Sequence, residues 1–311
     1  MPIHLHPTSR RQFLKQTLAV GAAAVLPRPL LTFAADTEID PHTVALLADT
    51  HVGSSTEATR GKMNMAANFV RVAKELAALD VRPAFAVIGG DCALSAGLPA
   101  EYRTLAALLP AITRLRIPLH LVMGNHDDRK AFYRVLKAHR PAKPLVTGKH
   151  AAIVEAERAN FFLLDSLDVV NKTPGRLGEE QLAWLAKALD ARTEKPAIVM
   201  SHHQPELPLP KPGEKIRKGN GVQDTAALMK LLTPRRHVKA YLNGHRHRWG
   251  RTTHEGIHVI DIPATAYAFG KTTPTGWTVA RLLPGGIALR LQSSDGKHKD
   301  HDRKIELKWR S

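Results

Sequence analysis

The sequence holds one cysteine, Cys92, and a single thiol closes no internal disulfide. The fold must therefore rest on an apolar core even in an oxidising compartment. Directly after an acidic residue, Cys92 reads as a small buried side chain and not as a ligand. Aromatic residues are scarce, 5% of the chain, and they do not alternate with the basic ones. With no nucleic-acid-binding motif either, nucleic acid ranks behind small anions as a partner. Beyond the N-terminus no segment has the length and apolarity of a transmembrane helix, so stable membrane insertion is not expected. Acidic residues are also in short supply, 28 against 45 lysines and arginines, for a formal charge of +17. A balance this basic favours anionic partners without naming one. There is no internal repeat.

What is present begins with Ser9-Arg10-Arg11-Gln12-Phe13-Leu14-Lys15, which looks like a twin-arginine export motif. An alanine-rich run from Thr17 to Leu26 follows; it is too short to span a bilayer and fits a signal h-region. Small residues at Thr32 and Ala34 place cleavage after Ala34. Residues 1–34 are thus expected to be a twin-arginine signal peptide, with the translocation machinery as a partner and the periplasm as destination. Residues 35–311, at about +13, are long enough for one sizeable core and read as one domain.

Five short blocks carry the chemistry: Asp49-Thr50-His51, Gly90-Asp91, Gly124-Asn125-His126-Asp127, Ser201-His202-His203 and Gly244-His245-Arg246-His247. Each lies at or just past the end of an apolar run that reads as a buried strand. A pair of divalent ions wants carboxylate oxygen and imidazole nitrogen, with an anionic bridge to offset their repulsion. In an extended segment residues i and i+2 share a face, so Asp49 with His51, and His245 with His247, are read as paired ligands. The glycines at 89, 90, 124 and 244 suit turns where backbone approaches an ion or a phosphate. Asp127 and Asp128 read as caps of a helix starting near Arg129, and His203 as a packing or supporting residue.

The arrangement resembles the calcineurin-like metallophosphoesterase superfamily. Gly124-Asn125-His126-Asp127-Asp128-Arg129 with Phe132, and Gly90-Asp91 through Gly97 to Glu101-Tyr102, are most similar to its class III nucleotide phosphodiesterase branch. The resemblance implies a first ion on Asp49, His51, Asp91 and His247, and a second that shares Asp91 and adds Asn125, His202 and His245. It implies that His126 faces the substrate as electrostatic stabiliser or as the acid for the leaving oxygen. Iron, manganese, zinc and cobalt all suit such mixed ligands. The block His202-His203-Gln204-Pro205 departs from the branch, which more often has His-His-Pro, and leaves the following loop undefined.

Periodicity predicts strands at 43–48, 85–88, 119–123, 197–200 and 239–242, helices at 61–79, 99–115 and 179–191, a hairpin over 151–165 and a β-rich stretch over 257–291. The β-α-β-α-β order at the start implies parallel strands with right-handed crossovers, and ligands at their carboxyl ends. The family resemblance implies a four-layer α-β-β-α sandwich of two mixed sheets. The segment 205–221, rich in Pro, Gly and Lys, follows His202. Its Lys211, Lys215, Arg217 and Lys218, with Arg129, are candidate contacts for an anionic substrate, and a solvated surface loop is the alternative. The functional expectation is an exported phosphoesterase in which hydroxide activated between two ions attacks phosphorus in diesters of nucleotides or glycerol. A phosphomonoesterase or nuclease of the same fold, or a metal- or phosphate-binding module without activity, are the alternatives.

Overall fold

Strand β1 (Ile39–Leu47) shows how the layers arise. Its alternate residues Val44 and Leu46 face one cluster of buried side chains, while Ala45 and Leu47 face another; a period of two divides a strand between two cores in this way. The computed structural model describes residues 38–209 and 219–311. The expected signal segment, and Lys211, Lys215, Arg217 and Lys218, lie outside the described residues.

After β1 come a two-residue-per-strand hairpin, β2 (Thr59–Arg60) with β3 (Met63–Asn64), and helix α1 (Met65–Ala77). Asn64 caps α1 by accepting from the backbone N–H of Ala67 at 2.8 Å, which is why the helix starts four residues later than its apolar periodicity implied. Met65, Phe69, Val72, Ala73 and Leu76 form its buried stripe. Then follow β4 (Arg82–Ile88), α2 (Pro99–Leu108), the single turn α3 (Pro110–Thr113), β5 (Leu119–Leu121) and α4 (Arg129–Val135). Pro110 splits the predicted 99–115 helix, because its ring cannot continue the α2 ladder.

The second half opens with the antiparallel hairpin β6 (Ala152–Glu155) and β7 (Asn160–Leu163), then α5 (Glu179–Asp190), β8 (Ala197–Met200), α6 (Thr225–Leu232) and β9 (Val238–Asn243). It closes with β10 (Gly250–His254), β11 (Ile257–Asp261), β12 (Gly276–Leu283), β13 (Gly286–Ser293) and β14 (Lys304–Lys308). The basic C-terminal stretch is thus a terminal strand with an exposed face.

Two six-stranded mixed sheets result, ordered β14-β13-β12-β1-β4-β5 and β10-β11-β9-β8-β7-β6. Between them lies one core, from Leu46, Val87, Phe161, Met200, Leu242 and Ile260 among others. The outer face of the first sheet packs on α1, α2 and α4 through Phe69, Leu105 and Phe132, and that of the second on α5 and α6 through Leu185 and Leu228. The four-layer α-β-β-α sandwich is the architecture. Within it β1, β4 and β5 run parallel, as do β7, β8, β9 and β11, so the loops leaving their carboxyl ends gather at one end of the sandwich. Among the described residues no helix is long and apolar enough to cross a membrane.

Candidate metal centre

The loops after β1 and β4 are zipped to each other past the ends of their strands. Asp49 N–H donates to Gly90 O at 3.0 Å, His51 N–H to Asp91 O at 2.9 Å and Val52 N–H to Cys92 O at 2.9 Å. This brings the first two blocks side by side. The loop after β9 joins them where the N–H of His245 donates to both carboxylate oxygens of Asp49, at 3.1 Å each.

Five of the expected ligands hold left-handed backbone: Asp49 at φ 51°, His51 at 43°, Asp91 at 48°, His245 at 64° and His247 at 46°. Such conformations cost of order 1–3 kcal/mol each and cluster where a site needs side chains aimed off the regular path. They revise the reading from strand geometry. Asp49 with His51, and His245 with His247, converge because both members turn left-handed after the strand has ended, not because they share a pleated face. Gly90 turns left-handed at φ 89°, as a tight turn requires, while Gly124 and Gly244 act differently. A Cβ on Gly124 would lie 2.2 Å from Asp91 Oδ1 and one on Gly244 2.5 Å from Asp49 Oδ2; glycine there makes room for a ligand carboxylate.

The donor atoms converge. His51 Nε2 lies 3.1 Å from His247 Nε2 and 3.6 Å from Asp91 Oδ2. His247 Nε2 is 3.3 Å from Asp49 Oδ1, and His202 Nε2 3.2 Å from Asp91 Oδ2 and 3.2 Å from His245 Nδ1. Donors of Asp49, His51 and His247 fall within 4.8 Å of one another, as do those of Asp49, Asp91 and His202. Asn125, also buried, points a side-chain oxygen with no hydrogen-bond partner. Of the eight residues expected at the centre, seven fall in such clusters of donors and Asn125 lies between Gly124 and His126 in the chain; Arg129 is not among them.

This donor set fits divalent cations. Lone-pair nitrogens that face each other at 3.1 Å, beside buried carboxylates, need a proton or a cation between them. The ring of His247 turns Nδ1 to the carbonyl of Tyr267 at 2.6 Å, and that of His202 turns Nδ1 to the carbonyl of Gly89 at 2.9 Å. A backbone carbonyl takes the N–H, which fixes the tautomer and leaves each Nε2 free to bind a metal. Asn125 Oδ1 is the orphaned neutral oxygen that such a site uses.

The electrostatics follow from burial and crowding. Burial acts to raise the carboxyl of Asp91, but His202 and His51 outweigh it and hold it well below the usual carboxylate range. Asp49 is lowered too, burial being overcome mainly by His247. His202 is lifted to about 9, where Asp91 prevails over burial, while burial drops His51 and His245 to about 4. The pocket is therefore built for positive charge against two carboxylates.

His126 sits at the edge of the set, half-buried, with its backbone N–H on Asp91 Oδ1 at 2.8 Å and its Nδ1 on the carbonyl of Ser95 at 2.5 Å. Ser95 is in turn held by Glu101, whose Oε1 accepts from the Ser95 N–H at 3.1 Å and hydroxyl at 2.7 Å, and whose Oε2 accepts from Leu98 N–H at 2.8 Å. Ser95 and Glu101 orient His126, a role that the sequence shows only as a nearby carboxylate. Asp128 caps α4 through the N–H of Ala131 at 2.7 Å. Asp127 does not share that task. It gathers the N–H groups of Gly124, Cys92 and Ala93 and the hydroxyl of Tyr102, lacing the second block to the third. Burial and the charge of Asp91 push its carboxyl up to about 6. Cys92 is buried, its thiol raised well above its ordinary value by burial. His203 is buried against the rings of His202 and His245, with Nδ1 on Ser166 Oγ at 2.8 Å.

Arg129, a candidate substrate contact from sequence, is engaged elsewhere. Its Nε and Nη2 grip Asp165 at 2.6 and 2.8 Å, and Nη2 also reaches Leu167 O at 2.5 Å. Asp165 is fully buried. We expect Arg129→Ala to destabilise the fold by about 3 kcal/mol, since removing one partner strands a buried charge, and urea unfolding measures it. A loss under about 1 kcal/mol would mean that the N–H groups of His150 and Leu167 suffice for Asp165.

Comparison with known proteins bears on this geometry. Residues 42–249 match the family profile of the calcineurin-like phosphoesterases, and residues 7–27 that of the twin-arginine translocation pathway signal sequence. The chain is 28% identical over 230 residues to the glycerophosphodiester phosphodiesterase GpdQ of Enterobacter lignolyticus, covering 72% of this chain and 77% of the relative. It is 30% identical to a cAMP/cGMP dual specificity phosphodiesterase of Mycobacterium tuberculosis, covering 76% and 71%. Among solved structures, a dimetal phosphatase from Danio rerio superposes with a TM-score of 0.65 at 16% identity, covering 87% of this chain and all of that one, 100%; at that identity it speaks for the fold alone.

Proposed function

The chain belongs to the calcineurin-like phosphoesterases, and from that premise we propose that it hydrolyses phosphodiesters of small anionic substrates, nucleotides or glycerophosphodiesters, at two metal ions held by the loops described above. It is a metal-dependent phosphoester hydrolase that carries a twin-arginine signal and is exported across the membrane to the periplasm. The boundary of the mature domain after Ala34 belongs to the proposal. So do the diester preference, the number of ions and the residue roles.

The observation that carries the reading is the position of Asp91. One of its oxygens lies near both His202 Nε2 and His51 Nε2, while the other accepts from the His126 N–H. It shares one cluster of donors with His51 and another with Asp49 and His202, and in our reading Asp49, His51 and His247 would hold one ion and Asn125, His202 and His245 the other. A carboxylate so placed would bridge. When bound, the ions supply Lewis acidity for the phosphoryl oxygen and a lowered pKa for water. The remaining work falls to the protein. The carboxylates and imidazoles fix the charge at the strand ends, in buried surroundings where it acts more strongly than in water. His126 is placed to assist the leaving oxygen: its Nδ1–H donates to the Ser95 carbonyl, so it is the doubly protonated ring that carries on Nε2 the proton the leaving oxygen needs. Support for diesters over monoesters comes from the relatives, which are glycerophosphodiester and cyclic-nucleotide phosphodiesterases.

The test is turnover of bis-p-nitrophenyl phosphate and p-nitrophenyl phosphate by manganese-reconstituted protein, with metal counted on the same sample. A diester preference with about two ions per chain is the expected result. A monoester preference would keep the site and remove the diester assignment.

A further inference from the structure

Phe269 is 69% exposed, the most exposed of the large apolar side chains among the described residues. A scattered surface phenylalanine calls for no explanation, but this one lies on the metal centre. Its ring stacks on that of His247, centroids 4.2 Å apart and planes at 25°, and it meets Tyr267 edge-on at 5.9 Å. Tyr267 in turn stacks on His51 at 5.0 Å and 29°. One face of Phe269 is thus covered by a proposed ligand, while most of its ring is left to solvent.

The shelf is held in place. Thr265 N–H donates to Ala48 O at 2.8 Å and Ala266 N–H to Asp49 O at 3.1 Å, while Asn68 Nδ2 donates to Ala266 O at 2.6 Å. The carbonyl of Tyr267 is fixed by His247 Nδ1. At the polar edge, the exposed Arg60 on the β2–β3 hairpin donates to Tyr267 Oη at 2.5 Å, its guanidinium 4.5 Å from the ring centroid. An exposed aromatic ring beside the proposed metal centre, next to an anchored tyrosine that carries a cation, suits a nucleobase: stacking is tolerant of base identity, and a nearby cation favours its electron-rich edge.

We propose that Phe269, beside the Tyr267–Arg60 pair, is the specificity-determining platform of this enzyme, selecting phosphodiesters that carry a nucleobase over those that lack one. The inference rests on the phosphodiesterase reading and narrows its substrate class to nucleotides. A glycerophosphodiester offers nothing flat to stack, and so gains nothing from the exposed ring.

The comparison that decides it uses two diesters with one leaving group, thymidine 5′-(p-nitrophenyl phosphate) and methyl p-nitrophenyl phosphate, with the manganese-loaded protein. The ratio of their kcat/KM values should fall about tenfold in Phe269→Ala, the size of a lost base–aromatic stack, and be kept in Phe269→Trp. A ratio unchanged in Phe269→Ala, whether both substrates fall together or neither does, would overturn the proposal and leave Phe269 as a shield for His247. Equilibrium dialysis of thymidine 5′-phosphate against methyl phosphate gives the same ratio without turnover. Should wild-type protein cleave neither diester, the phosphodiesterase reading falls, and the dialysis ratio decides the role of Phe269 by itself.

Discussion

Replacing Asp91 by alanine is expected to cut turnover by about 10³-fold or more and to leave the protein unable to hold two ions. The size follows from what is lost. Lewis-acid stabilisation of the reacting phosphate is worth several kcal/mol, and each 1.36 kcal/mol is tenfold in rate. Asp91 turns one oxygen to His51 and His202 and holds the His126 N–H with the other, and no neighbour can take its place: Asp49 is committed to His247 and to the N–H of His245. Alanine at φ 48° also adds backbone strain, which would blur the result. Asp91→Asn keeps the volume and tolerates the left-handed region while removing the charge. Metal content by elemental analysis and turnover on the same samples make the measurement. An Asp91→Asn protein that loads two ions and works at the wild-type rate would remove Asp91 as the bridge.

His126→Ala should behave in the opposite way, keeping its metals and losing kcat by about 10²-fold or more. The contact of His126 with Asp91 runs through its backbone N–H, which alanine retains, so the carboxylate stays where it is. What disappears is the imidazole held by Ser95. The loss should depend on the leaving group. An alkoxide needs a proton to depart, whereas p-nitrophenolate departs without one, so the defect should be large for alkyl esters and small for p-nitrophenyl esters. A defect of equal size on both would assign His126 to charge stabilisation instead of acid catalysis. If metal content fell along with the rate, His126 would belong among the ligands, a possibility raised by its place within 4.8 Å of His51 and Asp91 donors.

The order of the five blocks could be read without a structure because apolar runs announce buried strands and the residues after them are the ones a parallel sheet delivers to one end. That same periodicity located the hairpin at β6–β7 and the helix α5 nearly to the residue. It was poorest where a single residue breaks a pattern: Asn64 delays α1, and Pro110 divides the helix after α2. Ser95, Arg60, Tyr267 and Phe269 left little trace in the sequence. They reach the site from three separate segments, and no local pattern marks an exposed aromatic as lying against a distant histidine. Arg129 shows the converse. Its place beside Asn125 and His126 in sequence suggested substrate, but the partner that claims it, Asp165, is 36 residues away.

By itself the sequence determined the class of chemistry, because residue type and spacing at strand ends limit which cations and reactions the chain can serve. Its periods of two and of 3.6 assigned apolar residues to faces of strands and helices, while the four-layer arrangement came from the family resemblance. Tertiary structure alone decided how the ligands meet. The left-handed turns at Asp49, His51, Asp91, His245 and His247 are held by contacts between loops 35 or more residues apart. A conformation that costs energy locally persists only where such contacts over-determine it.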